Sequence, residues 1–434
     1  LLRVYLVSER HEQTGSRSLV RILSGDFKTG AYAGIFQHRW ANGLGVDLTA
    51  DYLDNQGDRQ PPRNMRWFDV GFRADWTPTP RVMALVDVRR GSFFRDRTQH
   101  AAGGILPGRD ETRTEALVRV VAAQRPFRRG WSLEAGFHTT AWRPDSASPD
   151  TAVPGRTVHR VFAGFGLRTA AATAEVQATA ADYYTPLAAT ARLAWIPLPG
   201  VVIAGDAGWE RHWGGRRSLR ARGTLGFSAG PFSLSGDVLA ADAVPAPMLP
   251  DDTARVTLDL GGRLGFTTRH VVLHAGVEQR DAFEPPPVPS LPPFARLPPT
   301  DDATYAVGDL MLKLAGWSLS GTISHPVRGD TAPYAPPTHA RVALTMRSKF
   351  WRTFRSGAFD VKAQIALESW GTGVAGGGVL TGATIGEAFL QIQLVRFRIF
   401  YDLRNALRSE DWYVPGFAMS RVLQTFGVKW DFRN

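Results

Sequence analysis

The chain has no cysteine among its 434 residues, so neither a disulfide framework nor a thiolate-bound metal can organise it. It also lacks any apolar run near the roughly 18 residues that a membrane-spanning helix needs, which excludes helical insertion. No secretory signal peptide opens it: Leu1-Leu2-Arg3 stand without an initiator Met or a charged segment before an apolar core, as in a mature or truncated product. Acidic residues are in the minority. Lys and Arg number 51 against 40 Asp and Glu, a formal charge of +11, and nearly all the basic residues are Arg. Such a balance points to anionic partners. The charges are nevertheless spread through the chain with no basic helix or recognition motif, so nucleic acid is not an expected partner.

What the chain does have is 44 Gly, 29 Pro, 24 Phe, 13 Trp and a period of two. The final stretch, Phe426-Gly427-Val428-Lys429-Trp430-Asp431-Phe432, puts every apolar side chain on one face and every polar one on the other. The same alternation recurs in Leu44 to Tyr52, Phe68 to Trp76, Trp131 to Phe137, Val201 to Trp209, Leu219 to Phe227, Val256 to Phe266, Val271 to Val277, Phe359 to Leu367 and Val395 to Leu403. Apart from the helix, a closed β-barrel is the structure that satisfies every backbone polar group inside a bilayer, and its hydropathy is low because alternate residues meet water.

Two kinds of connection alternate between these strands. The tight ones are Ala41-Asn42-Gly43, Thr77-Pro78-Thr79-Pro80, Pro197-Leu198-Pro199-Gly200, Ala229-Gly230-Pro231 and Thr267-Thr268-Arg269. The long ones span residues 55–64, 97–111, 144–156, 242–252, 284–302, 327–337, 372–382 and 406–420. This asymmetry predicts an all-β fold: a transmembrane antiparallel β-barrel of about 22 strands with short periplasmic turns and long extracellular loops. The barrel is expected to occupy residues 17–434, after a segment 1–16 that reads as the end of a plug or linker, with Leu2 to Glu9 as a detached strand. Within 17–40 the two faces are poorly separated. All thirteen tryptophans are placed at strand ends, at the two headgroup levels, with Trp40, Trp76, Trp131, Trp195, Trp317, Trp351, Trp430 and Phe432 in the turn-side belt.

The closing region carries a resemblance. Arg404-Asn405-Ala406, Trp412-Tyr413-Val414-Pro415-Gly416-Phe417, Arg421 and the strand Phe426 to Phe432 look like the last loop and last strand of the TonB-dependent receptor family. That resemblance implies a 22-stranded barrel of the Gram-negative outer membrane. It further implies a plug domain and a TonB-type energy-coupling protein as partners, with uptake of a solute that the sequence does not name. Two departures stand out: these residues contain no plug and no energy-coupling box, and the barrel is compact for the family.

Motifs for catalysis or metals are weak. Gly226-Phe227-Ser228-Ala229-Gly230 matches a nucleophile elbow but runs into another strand, where the elbow needs a helix. Gly371, Gly373 and Gly376 match a phosphate-loop spacing without a helix behind them. His270 and His274 share one strand face, too far apart for one metal. No enzyme activity, cofactor or metal is therefore expected. The proline-rich stretch 284–299, with Pro285-Pro286-Pro287, Pro292-Pro293 and Pro298-Pro299, reads as an extended arm: a protective loop or a lid.

The polar phase of the strands is the candidate working surface. Its arginines are Arg73, Arg119, Arg160, Arg168, Arg220, Arg222, Arg255, Arg263, Arg341, Arg396 and Arg398; its main carboxylates are Asp206, Glu210, Asp259, Glu278 and Asp402. Asp47, Asp69, Asp75, Glu134, Glu175, Asp237, Asp360, Glu368 and Glu387 share the phase. Residues of both signs on one face can line a water-filled path or contact a plug, and paired across strands they brace the wall. Three readings follow: the barrel of a receptor-like transporter, a passive porin with an Arg-biased lumen, or a barrel that anchors a surface protein. Outer-membrane lipid and lipopolysaccharide are the expected surroundings of each.

Overall fold

The computed structural model of the chain describes residues 14–57, 64–96, 98–99, 105–106, 108–124, 129–144, 155–245, 253–282, 301–329, 338–350, 353–354, 358–375, 378–409 and 422–433. Twenty-two strands, from Gly15–Gly25 to Leu423–Arg433, form one antiparallel sheet in which neighbours in sequence are neighbours in space. The first and last strands also pair, with Val20 opposite Trp430 and Ile22 opposite Val428. The sheet is therefore closed. Closure removes the two edges whose unpaired N–H and C=O groups could not be tolerated in hydrocarbon.

Alternation sorts the side chains. Phe72, Val118, Phe137, Phe165, Leu264 and Ile365 are large, apolar and exposed, and all lie in the outward phase of their strands. An apolar surface of this extent would drive a soluble protein to associate; wrapped around a closed wall it is the face that lipid covers. The opposite phase faces the lumen and carries most of the strand charge. The chain is a transmembrane β-barrel.

Its connections collect at two ends. The turn end holds the short reversals and both ends of the sheet, and there local chemistry sets the geometry. Gly43 has a φ of 85°, and the Leu44 N–H donates to Asn42 Oδ1 at 3.1 Å, so Asn-Gly suits this hairpin. Thr268 Oγ1 accepts the N–H of Val271 at 3.0 Å in the Thr267-Thr268-Arg269 reversal. The loop end holds the eight long connections.

Four connections break the pattern. Segments 26–28, 182–186 and 212–216 are short yet lie at the loop end, and 349–358 is long at the turn end. Nor is Thr77-Pro78-Thr79 a turn. Met65–Thr79 runs through it with an irregular register after Trp76, and the chain reverses at Pro80-Arg81.

The ambiguous stretch 17–40 is two ordinary strands, Gly15–Gly25 and Thr29–Arg39. Its faces are mixed because Leu19 and Leu23 share the lumen phase with Arg17 and Arg21, and Leu19 stands opposite Ile35. Leu19 is buried, so this part of the inner wall is a small apolar patch. The detached strand expected at Leu2 to Glu9 and the proline-rich arm 284–299 lie outside the described residues.

Candidate functional site

Lumen charges are arranged as short ladders. Arg119 pairs with Glu134 on the next strand, and Glu134 also accepts from Gln177 at 3.3 Å. Arg263 pairs with Glu278, Arg280 bonds the same carboxylate at 3.0 Å, and Asp309 lies 3.7 Å from Arg263. Arg341 bonds Glu387 at 2.8 Å. Inward-facing glycines make room for these ladders: a Cβ at Gly276 would lie 2.6 Å from Arg263 Cγ, so the side chain crosses the wall where glycine leaves it bare.

The other predicted residues lie outside these ladders. Asp402 bonds Arg404 at 3.3 Å, and Arg398 donates to Gln393 at 2.9 Å. Asp206 stands in register with Arg222 and Arg192, Arg220 is one lumen position along from Arg222, and Glu210 lies 3.6 Å from His212. Asp259 accepts the N–H of Asp281 at 3.0 Å, at the loop end near Arg255. Arg160 stands opposite His138, and Arg168 lines a cavity at the turn end. Arg73 keeps a buried Nε without a hydrogen-bond partner, opposite Asp47 and Asp87. Arg396 is not on the wall at all: it sits in the Val395-Arg396 reversal between Ala383–Leu394 and Phe397–Arg404.

One lumen feature lies near the loop end, where Leu44–Asn55, Met65–Thr79, Val82–Arg95 and Arg109–Ala123 run side by side. A cavity of about 510 Å³ is lined there by Leu53, Met65, Trp67 and Phe93 on one side. Asp69, Arg89, Arg109, Glu111, Arg113 and Glu115 supply its charges, and Gly91 and Ser92 complete the lining. Arg89 pairs with Asp87, Arg109 with Glu111 and Arg113 with Glu115, each two residues apart on one strand face. Trp67 is 43 % exposed, an open aromatic plate, and Arg109 sits 5.8 Å from the Phe93 ring. The charges lining it balance. The site offers apolar planes beside a dense set of donors and acceptors, which suits a polar solute with one apolar face.

No protein-family model matches the chain, and no curated protein is similar to it in sequence. Solved structures are similar. A mutant of the ferric enterobactin receptor PfeA of Pseudomonas aeruginosa aligns over 98% of this chain and 81% of its own, with a TM-score of 0.71 at 10% identity. The siderophore receptor PirA of Acinetobacter baumannii covers 98% and 81%, with a TM-score of 0.67 at 9% identity. The copper transporter OprC covers 98% and 84%, with a TM-score of 0.70 at 12% identity. The fold is that of a TonB-dependent-receptor barrel. At these identities the likeness is one of fold.

In this receptor-like barrel the aromatics divide unevenly. Trp76, Trp131, Trp195, Trp317, Trp430 and Phe432 lie in the outward phase at the turn end, with Trp430 packed against Phe432 at 4.2 Å and Trp40 exposed in the adjoining turn. At the loop end the expected headgroup belt fails at three positions. Trp67, Trp142 and Trp370 point into the lumen: Trp142 Nε1 donates to Glu111 at 2.7 Å, and Trp370 stacks on His339 at 3.9 Å. The period of two would have shown this, since each falls in the same phase as a lumen carboxylate: Asp69, Glu134 and Glu368. Trp351 and Trp412 lie outside the described residues.

Sequence reading also missed a knot on the receptor-like barrel's rim. His212 is buried, with Nδ1 2.9 Å from Thr185 Oγ1 and Nε2 2.7 Å from Ser218 Oγ. Ser218 Oγ in turn accepts the Val244 N–H at 2.9 Å. Burial pushes the His212 pKa down, so the ring is held neutral as a bridge between two hydroxyls. Above it Tyr183, Tyr184 and Trp213 form an aromatic cluster, with Arg156 4.0 Å from the Tyr183 ring. The other motifs resolve simply. Ser228 donates to Gly200 O at 3.3 Å within a strand-to-strand passage, Gly373–Ala375 pairs with Gly378–Leu380 as a small hairpin, and His270 lies in a turn, off the His274 strand.

Proposed function

We propose that this chain is the barrel of an outer-membrane transporter of a Gram-negative-type bacterium, moving a solute through its lumen by the logic of TonB-dependent receptors. The observation that carries the proposal is the pairing of a closed 22-stranded wall, apolar outside, with a lumen lined by charge ladders. A wall built only to anchor has no need of so many charges of both signs on its inner face. The turn end would face the periplasm and the loop end the exterior. The cavity at Trp67, Phe93 and Arg109 then lies where an incoming solute first meets the wall. A plug and a TonB-type coupling protein are the partners that this reading calls for, as the named solved receptors suggest by likeness of fold.

Planar-bilayer recording of the purified chain is the test. A steady conductance is expected, and changed current noise or block in Trp67→Ala would place solute passage at the cavity. A chain that inserts but conducts nothing would defeat the transport reading. Uptake in cells treated with an uncoupler separates the passive porin from the energised receptor: uptake that continues unchanged favours the porin.

A further inference from the structure

The outer surface of the barrel carries arginines where its apolar belt stops. Arg66, Arg90, Arg143, Arg211 and Arg217 are in the outward phase of their strands, and all lie at the loop end. Among the described residues no strand arginine or lysine shares that phase at the turn end. Val82–Arg95, Arg109–Ala123 and Gly130–Pro144 are the strands on which this matters most. Val88, Val118 and Phe137 form the apolar belt there, and two to six residues nearer the loop end the outward positions become Arg90, Thr112, Thr114 and Arg143. Registers bring these together: Arg90 faces Thr114, and Thr112 faces Arg143. With Asp110, Glu111, Ala141 and Pro144 they line a cleft of about 470 Å³ at the loop-end rim of the wall.

The pairing state of these arginines separates them from their neighbours. On the same strands every inward arginine of the ladders has a carboxylate partner: Arg89 has Asp87, Arg109 has Glu111, Arg113 has Glu115 and Arg119 has Glu134. Among the described residues neither Arg90 nor Arg143 is paired with a carboxylate, and both are exposed. Two guanidinium groups without an ion-pair partner among the described residues, flanking two hydroxyls just above a lipid belt, are suited to a phosphate held at headgroup height.

We infer that Arg90, Thr112, Thr114 and Arg143 form a binding site for the phosphate of an outer-leaflet lipid headgroup. The inference rests on the outer-membrane reading above. Each guanidinium can donate two N–H groups to phosphate oxygens while the threonine hydroxyls donate from the strand between them. Asp110 repels the anion on the loop side, and Glu111 is already held by Arg109 and Trp142, which favours a headgroup entering from the belt with its acyl chains against Val88 and Val118. The site would fix the barrel's depth in the membrane and give it a preferred annular lipid.

The test uses the full chain purified in detergent, with bound lipid read by native mass spectrometry. Bisphosphorylated lipid A should be retained, and Arg90→Gln with Arg143→Gln should weaken retention about tenfold or more, with dephosphorylated lipid A held equally weakly by both forms. Heat-modifiable gel mobility confirms that the variant is folded. Equal retention of lipid A by the double variant would overturn the site. So would an equal loss in Arg211→Gln with Arg217→Gln, which would mean unspecific charge attraction. Competition by millimolar orthophosphate alone would assign the cleft to the free ion, against the proposal. Loss of binding with a chelator but not with the arginine variants would assign it to a cation bridge through Asp110, also against it. Membrane fractionation of expressing cells keeps the two readings apart: a chain that reaches the outer membrane without holding the lipid sinks this site, and a chain absent from that membrane sinks the reading beneath it.

Discussion

Replacing Arg39 by methionine is expected to cost about 3 to 5 kcal/mol of barrel stability, although the cavity at Trp67 is not touched. The reason is the burial of its partner. Asp75 has 1% of its side chain exposed, and Arg39 Nη2 bonds both of its oxygens, at 2.8 and 2.7 Å, while Nη1 holds the Gly43 carbonyl at 3.1 Å. The pair spans from Thr29–Arg39 to Met65–Thr79 across the strand between them, and that strand offers a glycine at the crossing. A Cβ on Gly45 would lie 2.4 Å from Nη2. Methionine fills similar volume but leaves a dry carboxylate without its cation, and the cost of that exceeds the value of the pair itself. Replacing both groups, as Arg39→Met with Asp75→Leu, should bring stability back to within about 1 kcal/mol of the parent. Urea unfolding in lipid vesicles, followed by tryptophan fluorescence and gel mobility, gives the double-mutant cycle. A single Arg39→Met variant within about 1 kcal/mol of the parent would refute the reasoning, because it would mean that water reaches Asp75.

Other outcomes are equally concrete. Val395 is a β-branched residue held at a φ of 56° in an exposed reversal, so Val395→Asn should stabilise the barrel by about 1 kcal/mol, read from the same unfolding curves. Val118→Arg, in the outward phase, should destabilise the barrel in vesicles by about 2–4 kcal/mol, whereas Val202→Arg in the lumen phase should cost far less. Equal costs would mean that the two faces are assigned wrongly. The His212 knot should weaken in acid. Its folded pKa lies below the ordinary value, so the unfolded chain takes up a proton first, and the stabilisation present at neutral pH declines as pH falls through about 6.5. Exchange of the Val244 amide, corrected for its intrinsic rate, should therefore be faster at pH 5.5 than at pH 7.5; no change would show that the knot does not depend on a neutral ring.

Much of this architecture was legible because a lipid-facing wall leaves its period in the sequence. Eight of the nine alternating segments are strands throughout, the ninth losing Val395 and Arg396 to a reversal, and the eight long connections read from the sequence fall at one end. The reading faltered where that period carries less information. In Gly15–Gly25, Leu19 faces a lumen patch with Ile35, so hydrophobicity alone assigned neither face. Trp67, Trp142 and Trp370 were placed with lipid by their position near strand ends, although their phase puts them with the carboxylates. Ladders such as Arg109 with Glu111 and Arg113 with Glu115 could have been found, since residues two apart on a strand share a face.

The sequence by itself determined the kind of protein: most of its strands and their two faces, the solvent each face meets and the sorting of the eight long loops. These follow from a local rule, the alternation of side chains along an extended backbone, and need no knowledge of which strands meet. Tertiary structure alone decided what depends on register and closure. The bond between Arg39 and Asp75 across an intervening strand is one such feature, and the bridge from Thr185 through His212 to Ser218 is another. The cavity at Trp67 and the cleft between Arg90 and Arg143 belong with them. Each joins residues that are far apart in the chain, or on separate strands, at distances fixed by the stagger of one strand on the next, and a one-residue slip would turn every such side chain to the other face.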